Sequence, residues 1–486
     1  MKIMYHSTRD KNIKATASEA ILKGIAPDGG LYVPEQIPKL KTGFEALAKM
    51  DYAHVAYEVM KLFFTDFTEE ELMNCIKGAY NSEKFDTDDI TKLVEADGAY
   101  FLELFHGRTI AFKDMALSIL PYLMTTAARK CGASEEIVIL TATSGDTGKA
   151  ALAGFADVPG TSIVVFYPKH GVSRVQEKQM VTQRGKNVNV IGIEGNFDDA
   201  QSAVKAMFTD ENLAKRMKAG GYRFSSANSI NIGRLIPQVA YYVYAYSRLM
   251  PKQINFVVPT GNFGNILAAY YAFKMGVPVN KLICASNRNK VLTDFFETGV
   301  YDKNREFYLT SSPSMDILIS SNLERLIYEI AGDETASLMS DLKNKGKYEI
   351  TSEMKDKLDL FKGGYAEDDE MSKAIADLYR KENYIIDTHT AVAAAVYNKY
   401  REETKDDTCT VIASTASPYK FTRAVLNSID EAYDKKDDFE LFEELNKLSG
   451  VDIPDAIKDI IDAKVLHTKV CAKDGLEAEV VKIYKI

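Results

Sequence analysis

The spacing of apolar residues divides the chain into a helical N-terminal stretch and a long region where strands and helices alternate. Helical periodicity runs through 43–63 and 68–80, with acidic residues opening the second helix. Ahead of them, Gly24-Ile-Ala-Pro-Asp-Gly-Gly-Leu-Tyr-Val-Pro34 carries turn chemistry into a short extended segment. From residue 98 the pattern changes. Apolar and β-branched runs predict strands at Tyr100–Leu104, Ile137–Thr141, Ser162–Tyr167, Val188–Ile193, Ile254–Val258, Leu282–Ala285 and Thr410–Ala413, and regular pattern also resumes at Tyr384–Ile386. Helices are predicted between them, from Lys113 to about 130, from about 147, and over 172–184, 197–208, 231–248, 265–275, 389–402 and 419–430. Repeated βαβ order implies an α/β fold with a parallel sheet flanked by helices on both faces. Residues 288 to about 378 are rich in charge, Ser and Asn and are expected to form helices and loops over the rim of a site. The tail after 431 is expected to be mainly helical.

Length and composition narrow the class. A chain of 486 residues implies two to four domains at about 150 residues each. The expected division is 1–95, 96–430 and 431–486, the middle part holding a smaller subdomain at about 132–215 and the rim insertion at about 288–378. A net charge of -9, with Lys and Arg dispersed, argues against nucleic acid as a partner. No apolar run reaches the roughly 18 residues of a membrane span, and Met1 to Asn12 lacks the apolar centre of a signal peptide. Five scattered cysteines and six scattered histidines give neither a disulfide frame nor a metal spacing. The expectation is a reduced, cytoplasmic enzyme without a metal.

The first candidate for chemistry is Lys113, in Phe105-His-Gly-Arg-Thr-Ile-Ala-Phe-Lys-Asp114. Apolar residues crowd its N-terminal side and a helix follows, so its route to water is poor. Burial lowers an amine's pKa and leaves it able to attack a carbonyl, as a Schiff-base lysine requires. The alternative is a lysine that snorkels at a helix start or pairs with Asp114.

Four further stretches sit where a strand or loop enters a helix. In Pro259-Thr-Gly-Asn-Phe-Gly-Asn265 two glycines let the backbone turn round an anion, and a helix N-terminus adds free N–H groups. It lacks the third glycine of a dinucleotide fingerprint, so it suits a terminal phosphate or is an ordinary tight turn. Thr143-Ser-Gly-Asp-Thr-Gly148 offers hydroxyls and N–H groups to a carboxylate, or simply caps its helix. It fails as a Walker loop, which disfavours a P-loop kinase, because Thr143 replaces the first glycine and Ala150 the Mg²⁺-binding hydroxyl. Ser225-Ser-Ala-Asn-Ser-Ile-Asn-Ile-Gly-Arg234 sets amides and hydroxyls one turn before an arginine, a second anion grip or a capped helix. Ser414-Thr-Ala-Ser-Pro-Tyr-Lys-Phe421 ends a strand at the edge where ligands lie in open parallel sheets.

Taken in order, these blocks resemble the pyridoxal-phosphate enzymes of the tryptophan-synthase-β type and, among them, the threonine synthase family in its longer form. The resemblance runs from Tyr5-His-Ser-Thr-Arg9 to helix 419–430. It implies fold type II, with two open, mostly parallel sheets, a mostly helical N-terminal domain and a helical C-terminal extension. It implies pyridoxal 5'-phosphate as cofactor, held by Schiff-base lysine Lys113, by Gly261, Asn262, Phe263, Gly264 and Asn265 round its phosphate, and by Thr415 at the pyridine nitrogen. Ser144, Gly145, Asp146 and Thr147 match the loop that receives the substrate carboxylate. Asn228, Ser229, Asn231 and Arg234, with Lys420 assisting, fall where the substrate phosphate is expected. The implied reaction converts O-phospho-L-homoserine and water to L-threonine and phosphate, in a monomer or homodimer. The alternatives are a phospho-lyase or serine/threonine dehydratase of the same fold, or a relative that binds cofactor without turnover. The sequence departs from the family pattern in two blocks: Arg108 stands in place of Pro, and Ser417 in place of His with Tyr419 for Ala.

Overall fold

Strands β1 (Tyr5–Ser7), β2 (Lys14–Ala15) and β3 (Tyr32–Pro34) open the chain as a small antiparallel sheet in the order β2-β1-β3. The computed structural model describes residues 2–486 apart from Ser144 and Ser173, with the backbone alone at Phe197 and Asp198. The periodicity of 43–63 resolves into two helices, Phe44–Leu47 and Tyr52–Met60, because the Asp51 side chain accepts the His54 N–H and starts a new one. Helix Glu69–Ala79 begins at a reciprocal cap between Thr68 and Glu71.

Strand β4 (Lys92–Ala96) turns back through Asp97-Gly98, both at positive φ, into β5 (Ala99–Glu103). Then follow β6 (Glu136–Ala142), β7 (Thr161–Pro168), β8 (Val188–Glu194), β9 (Tyr222–Ser225), β10 (Ile254–Pro259), β11 (Val279–Ser286), the β12–β13 ladder (Val300–Asp302 with Lys347–Glu349), β14 (Phe361–Tyr365), β15 (Thr410–Ser414) and β16 (Val470–Ala472). They build a six-stranded sheet, β14-β11-β10-β15-β5-β4, and a five-stranded one, β16-β8-β7-β6-β9. Every pairing in both is parallel except β4 with β5. Strands β7 and β10 are buried at every position, which explains their unbroken apolar runs. Helix Ile232–Leu249, buried from Ile232 to Ser247, packs on helices Tyr52–Met60 and Gly264–Met275 and joins the N-terminal unit to the main core.

Several expectations change. The helix from Lys113 to 130 is two helices, Asp114–Leu117 and Leu120–Lys130, with Ile119 between them and Pro121 in the first turn of the second. Tyr384–Ile386 forms no strand; it is the connection into helix Thr388–Thr404, capped by Asp387. The segment 288–378 contributes β14 to the large sheet, and the tail contributes β16 to the smaller one, alongside helices. Among the described residues, no helix is long and apolar enough to cross a membrane and no group of side chains could hold a metal.

Candidate active site

Four segments at the C-terminal ends of parallel strands meet. The chain leaves β5, and the Asp114 carboxylate folds the connection on itself by accepting the Thr109 N–H (2.8 Å) and hydroxyl (2.6 Å). Phe112 N donates to Thr415 O (2.8 Å) and Ser417 N to Ile110 O (3.0 Å). The stretch before Lys113 is thereby stitched to the loop after β15, and Thr415, itself buried, bonds through its carbonyl to the residue preceding Lys113.

The Lys113 side chain is 11% exposed. Its Nζ donates to Ser314 Oγ (3.4 Å) and lies 3.7 Å from Asp146 Oδ2. Burial pulls its pKa down, Asp146 opposes that, and Lys420 and Arg234 push it further down. Asp146 opens helix Asp146–Phe155 after β6. Its Oδ1 is 3.3 Å from Lys420 Nζ and accepts from Gln176 Nε2 (3.1 Å), while its Oδ2 accepts from Ser314 Oγ (3.3 Å). Burial alone would raise its pKa; the Lys420 and Lys113 cations outweigh it and hold the carboxyl below the usual range. Lys420 also donates to Thr109 O (2.9 Å). Asp146 and Lys420, which the resemblance assigns to the substrate, thus bear directly on the lysine.

Gly145 and Thr147 flank Asp146 at this helix start; Ser144 lies outside the described residues. Thr143 Oγ1 accepts the N–H groups of Gly145 (3.0 Å) and Gly148 (2.9 Å) and fixes the loop's turn.

The loop after β10 has the form of an anion cradle. Phe263 takes a left-handed φ of 64° so that the helix can begin at Gly264, and its ring packs on Phe296 and Phe361. A Cβ on Gly261 would collide with the carbonyl oxygen of Ser314. Ser320 Oγ donates to Gly261 O (2.6 Å), and Asn322 donates N and Nδ2 to Asn262 O (3.0 Å each). Asn265 Oδ1 accepts from Tyr241 (2.5 Å) and Tyr242 (2.7 Å), whereas its buried Nδ2 has no partner among the described residues. A bare loop, a helix start and an orphaned donor fit the terminal phosphate of the cofactor.

Arg234 is buried, with Nη1 donating to Ala227 O (3.0 Å) and Nε without a partner among the described residues. Burial pushes its pKa down to about 10. A buried guanidinium that among the described residues has no carboxylate partner, and that acts on Lys113, fits a second anion. Asn231 departs from the expected role. Its Oδ1 accepts from Gly233 N (2.8 Å) and its Nδ2 donates to Ile21 O (2.9 Å) and Ser226 O (3.1 Å), so the amide is spent on the helix cap and the N-terminal unit. Asn228 is exposed and Ser229 half-buried. Arg108 directs Nε and Nη2 at Glu83 O (3.2 and 3.1 Å) at the surface.

Sequence reasoning missed Ser314, His389, Asp387 and Gln176. Ser314 N donates to His389 Nε2 (3.1 Å), and His389 Nδ1 faces Asp387 Oδ2 (2.9 Å). With Nε2 accepting, the imidazole proton sits on Nδ1. This chain holds the 312–316 turn over Lys113. Residue spacing gives no sign of it, since the contact joins two separate segments.

A lysine kept from water beside a phosphate cradle, at the ends of parallel strands, is the arrangement of a pyridoxal-phosphate-dependent enzyme of fold type II. Residues 83–415 match the family described as pyridoxal-phosphate dependent enzymes, residues 4–80 the threonine synthase N terminus, and residues 390–464 the threonine synthase C-terminal family. The chain belongs to the threonine synthase family. It is 35% identical to threonine synthase of Saccharomyces cerevisiae over 92% of this chain and 93% of that one. With threonine synthase of Pseudomonas aeruginosa it shares 37% identity, over 87% and 89% of the two chains. The crystal structure of PLP-bound threonine synthase from Brucella melitensis superposes with a TM-score of 0.87, at 34% identity and covering 99% of each chain.

Proposed function

We propose that the chain converts O-phospho-L-homoserine and water into L-threonine and phosphate. The observation that carries this reading is Arg234, a buried cation whose Nε has no partner among the described residues and which acts electrostatically on Lys113. A cradle for the cofactor's phosphate is common to the whole class; a second anion grip suits a substrate whose leaving group is phosphate.

Pyridoxal phosphate, when bound, supplies the electron sink that stabilises negative charge at the substrate's Cα. Gly261, Asn262, Phe263, Gly264 and Asn265 would hold its phosphate, Lys113 its carbonyl carbon and Thr415 its ring nitrogen. The chain's own residues supply the rest. Lys113 Nζ, with its pKa lowered by burial, takes the proton from Cα; loss of a Cβ proton then breaks the Cγ–O bond to phosphate, and protons return to Cγ and Cα as water adds at Cβ. Lys420 and Lys113 keep Asp146 ionised, so Asp146 stabilises the Lys113 ammonium while it carries that proton. Arg234, with Asn228 and Ser229 near it, binds the departing phosphate, and the loop Ser144–Thr147 orients the substrate carboxylate. The turn at Ser314 covers Lys113 and limits entry of water until the final addition at Cβ. The reading includes a cytoplasmic protein acting as a monomer or homodimer.

The test is phosphate release from O-phospho-L-homoserine by the loaded enzyme, with amino-acid analysis of the same sample. Threonine in step with phosphate is expected. Phosphate with 2-oxobutanoate would make the protein a phospho-lyase, and no phosphate would remove the substrate assignment.

A further inference from the structure

A cleft of about 860 Å³ opens behind the loop that leads to Lys113. Residues 105–108 and Ile110 form one wall, Lys149 and Ala153 of the helix after β6 another, and residues 451–463 of the C-terminal extension close it. Lys113, Asp146, Arg234 and Ser314 do not line it, so it is a different space from the site above.

Six cations line this space: Lys84 and Lys149 are half-buried, and Lys92, Arg108, Arg184 and Lys458 are exposed at its rim. Lys149 Nζ donates to Gln183 Oε1 (2.7 Å), and Lys84 Nζ donates to Tyr122 OH (3.0 Å). Both side chains are half-buried, both have neutral acceptors, and among the described residues neither has a carboxylate within ion-pair distance. Arg108 is anchored to Glu83 O through Nε and Nη2, and among the described residues Nη1 has no further partner. Of the acids on the walls, Asp86 is taken by His106 and Asp455 by Lys458, while Glu83, Asp452 and Asp459 are exposed. Two half-buried lysines thus lie inside, with Arg108 at the mouth, and the acids on the walls are exposed. Burial pushes both lysines down to about 8, helped by Arg108 at Lys84 and by Lys420 at Lys149, where Asp114 and Asp459 pull the other way; an anion bound beside either ammonium would relieve that cost.

We propose that this cleft binds a small phosphate-bearing molecule, its phosphate held by Lys84, Arg108 and Lys149. Lysine ammoniums around a guanidinium are a phosphate's partners, and the volume suits a metabolite rather than a bare ion. The site has a path to the catalytic lysine. Arg108 precedes Thr109, whose N–H and hydroxyl hold the Asp114 carboxylate next to Lys113. A ligand drawn against Arg108 therefore bears on the loop that positions Lys113.

The experiment is equilibrium dialysis of radiolabelled inorganic phosphate against the holoenzyme. Wild type is expected to bind at two sites per chain, one lost in Arg234→Gln and the other in Lys84→Met/Lys149→Met. Arg108→Gln, a surface change that keeps the fold, is expected to weaken the second site at least about tenfold, as loss of one charge-assisted hydrogen bond does. A single site that persists in Arg108→Gln and in the double lysine variant and vanishes only in Arg234→Gln overturns the proposal and leaves the reading of Arg234 intact. No binding in any holoenzyme overturns it as well.

Discussion

Lys113 and Asp146 face each other at 3.7 Å, and the same carboxylate is shared with Lys420 at 3.3 Å. One negative charge thus serves two buried amines, with Arg234 adding a third cation to the field at Lys113. The surplus of positive charge favours a neutral Lys113, and Asp146 limits how far that goes.

Asp146→Asn removes the restraint while leaving Lys420 and Arg234 in place. The pKa of Lys113 is expected to fall further, so that the amine is free at lower pH. The readout is the pH dependence of cofactor capture by the apoenzyme, followed by visible absorbance. Its midpoint should move to lower pH, and an unmoved midpoint would show that Asp146 does not tune the lysine. Because the folded-state pKa of Asp146 is depressed, its stabilising share is present above about pH 4 and lost as acid protonates it. The variant should therefore lose less stability than wild type on acidification below that point.

Gly261→Ala places a methyl group against the carbonyl of Ser314. Either the 312–316 turn or the phosphate loop has to shift. Cofactor affinity is expected to drop at least about tenfold, the scale of one lost hydrogen bond to a charged group, in titrations of apoenzyme with pyridoxal phosphate. Equal affinity would mean that the loop at Gly261 does not hold the phosphate.

With Arg234→Gln the buried donor set loses its charge but keeps an amide. KM for the phosphorylated substrate should rise about 10- to 100-fold, as loss of a charged hydrogen bond of about 1.5–3 kcal/mol implies, while cofactor absorbance stays as in wild type. Steady-state kinetics beside a spectrum separates the two effects.

Lys149→Met tests the cost of the cleft. In the folded chain Lys149 loses its proton near 8, and in the unfolded chain near about 10.4. The folded state thus bears a charging penalty that is complete below pH 8 and fades as pH climbs toward the unfolded value. Methionine should raise stability by about 1–2 kcal/mol at pH 7, and the advantage in melting temperature should shrink by pH 10. An advantage that is constant with pH would point to packing instead.

Much of this was legible in the chain because the inner strands of the two sheets, such as β7 and β10, are buried on both faces and read as unbroken apolar runs. Strand β14 was not. Its sequence is Phe-Lys-Gly-Gly-Tyr, and the glycines are there because a Cβ at Gly363 would strike the Thr293 backbone and one at Gly364 the Val396 side chain. Close packing of helices on the strand removes the very side chains that mark a strand. Strand β4 was missed as well, although Asp97-Gly98 between it and β5 is a strong turn signal. At the site, Lys113 and the Gly261 loop stood out by local chemistry. Ser314 and His389 did not, because their roles arise from a contact between distant segments. Asn231 shows the converse, a residue type suited to anion binding whose amide is consumed by a helix cap.

Strand β16 bears on how the chain is made. It pairs with β8 in parallel, Val470 beside Gly192, so the outer margin of the five-stranded sheet stays open during synthesis until a segment far downstream emerges. An uncovered margin is a template for another chain, and such distant pairings form slowly. β16 is only three residues long and mostly exposed; once docked, it leaves a blunt border with little backbone for a neighbour to copy. The C-terminal segment thus acts late, as a guard against self-association of a sheet whose chemistry lies at its other residues.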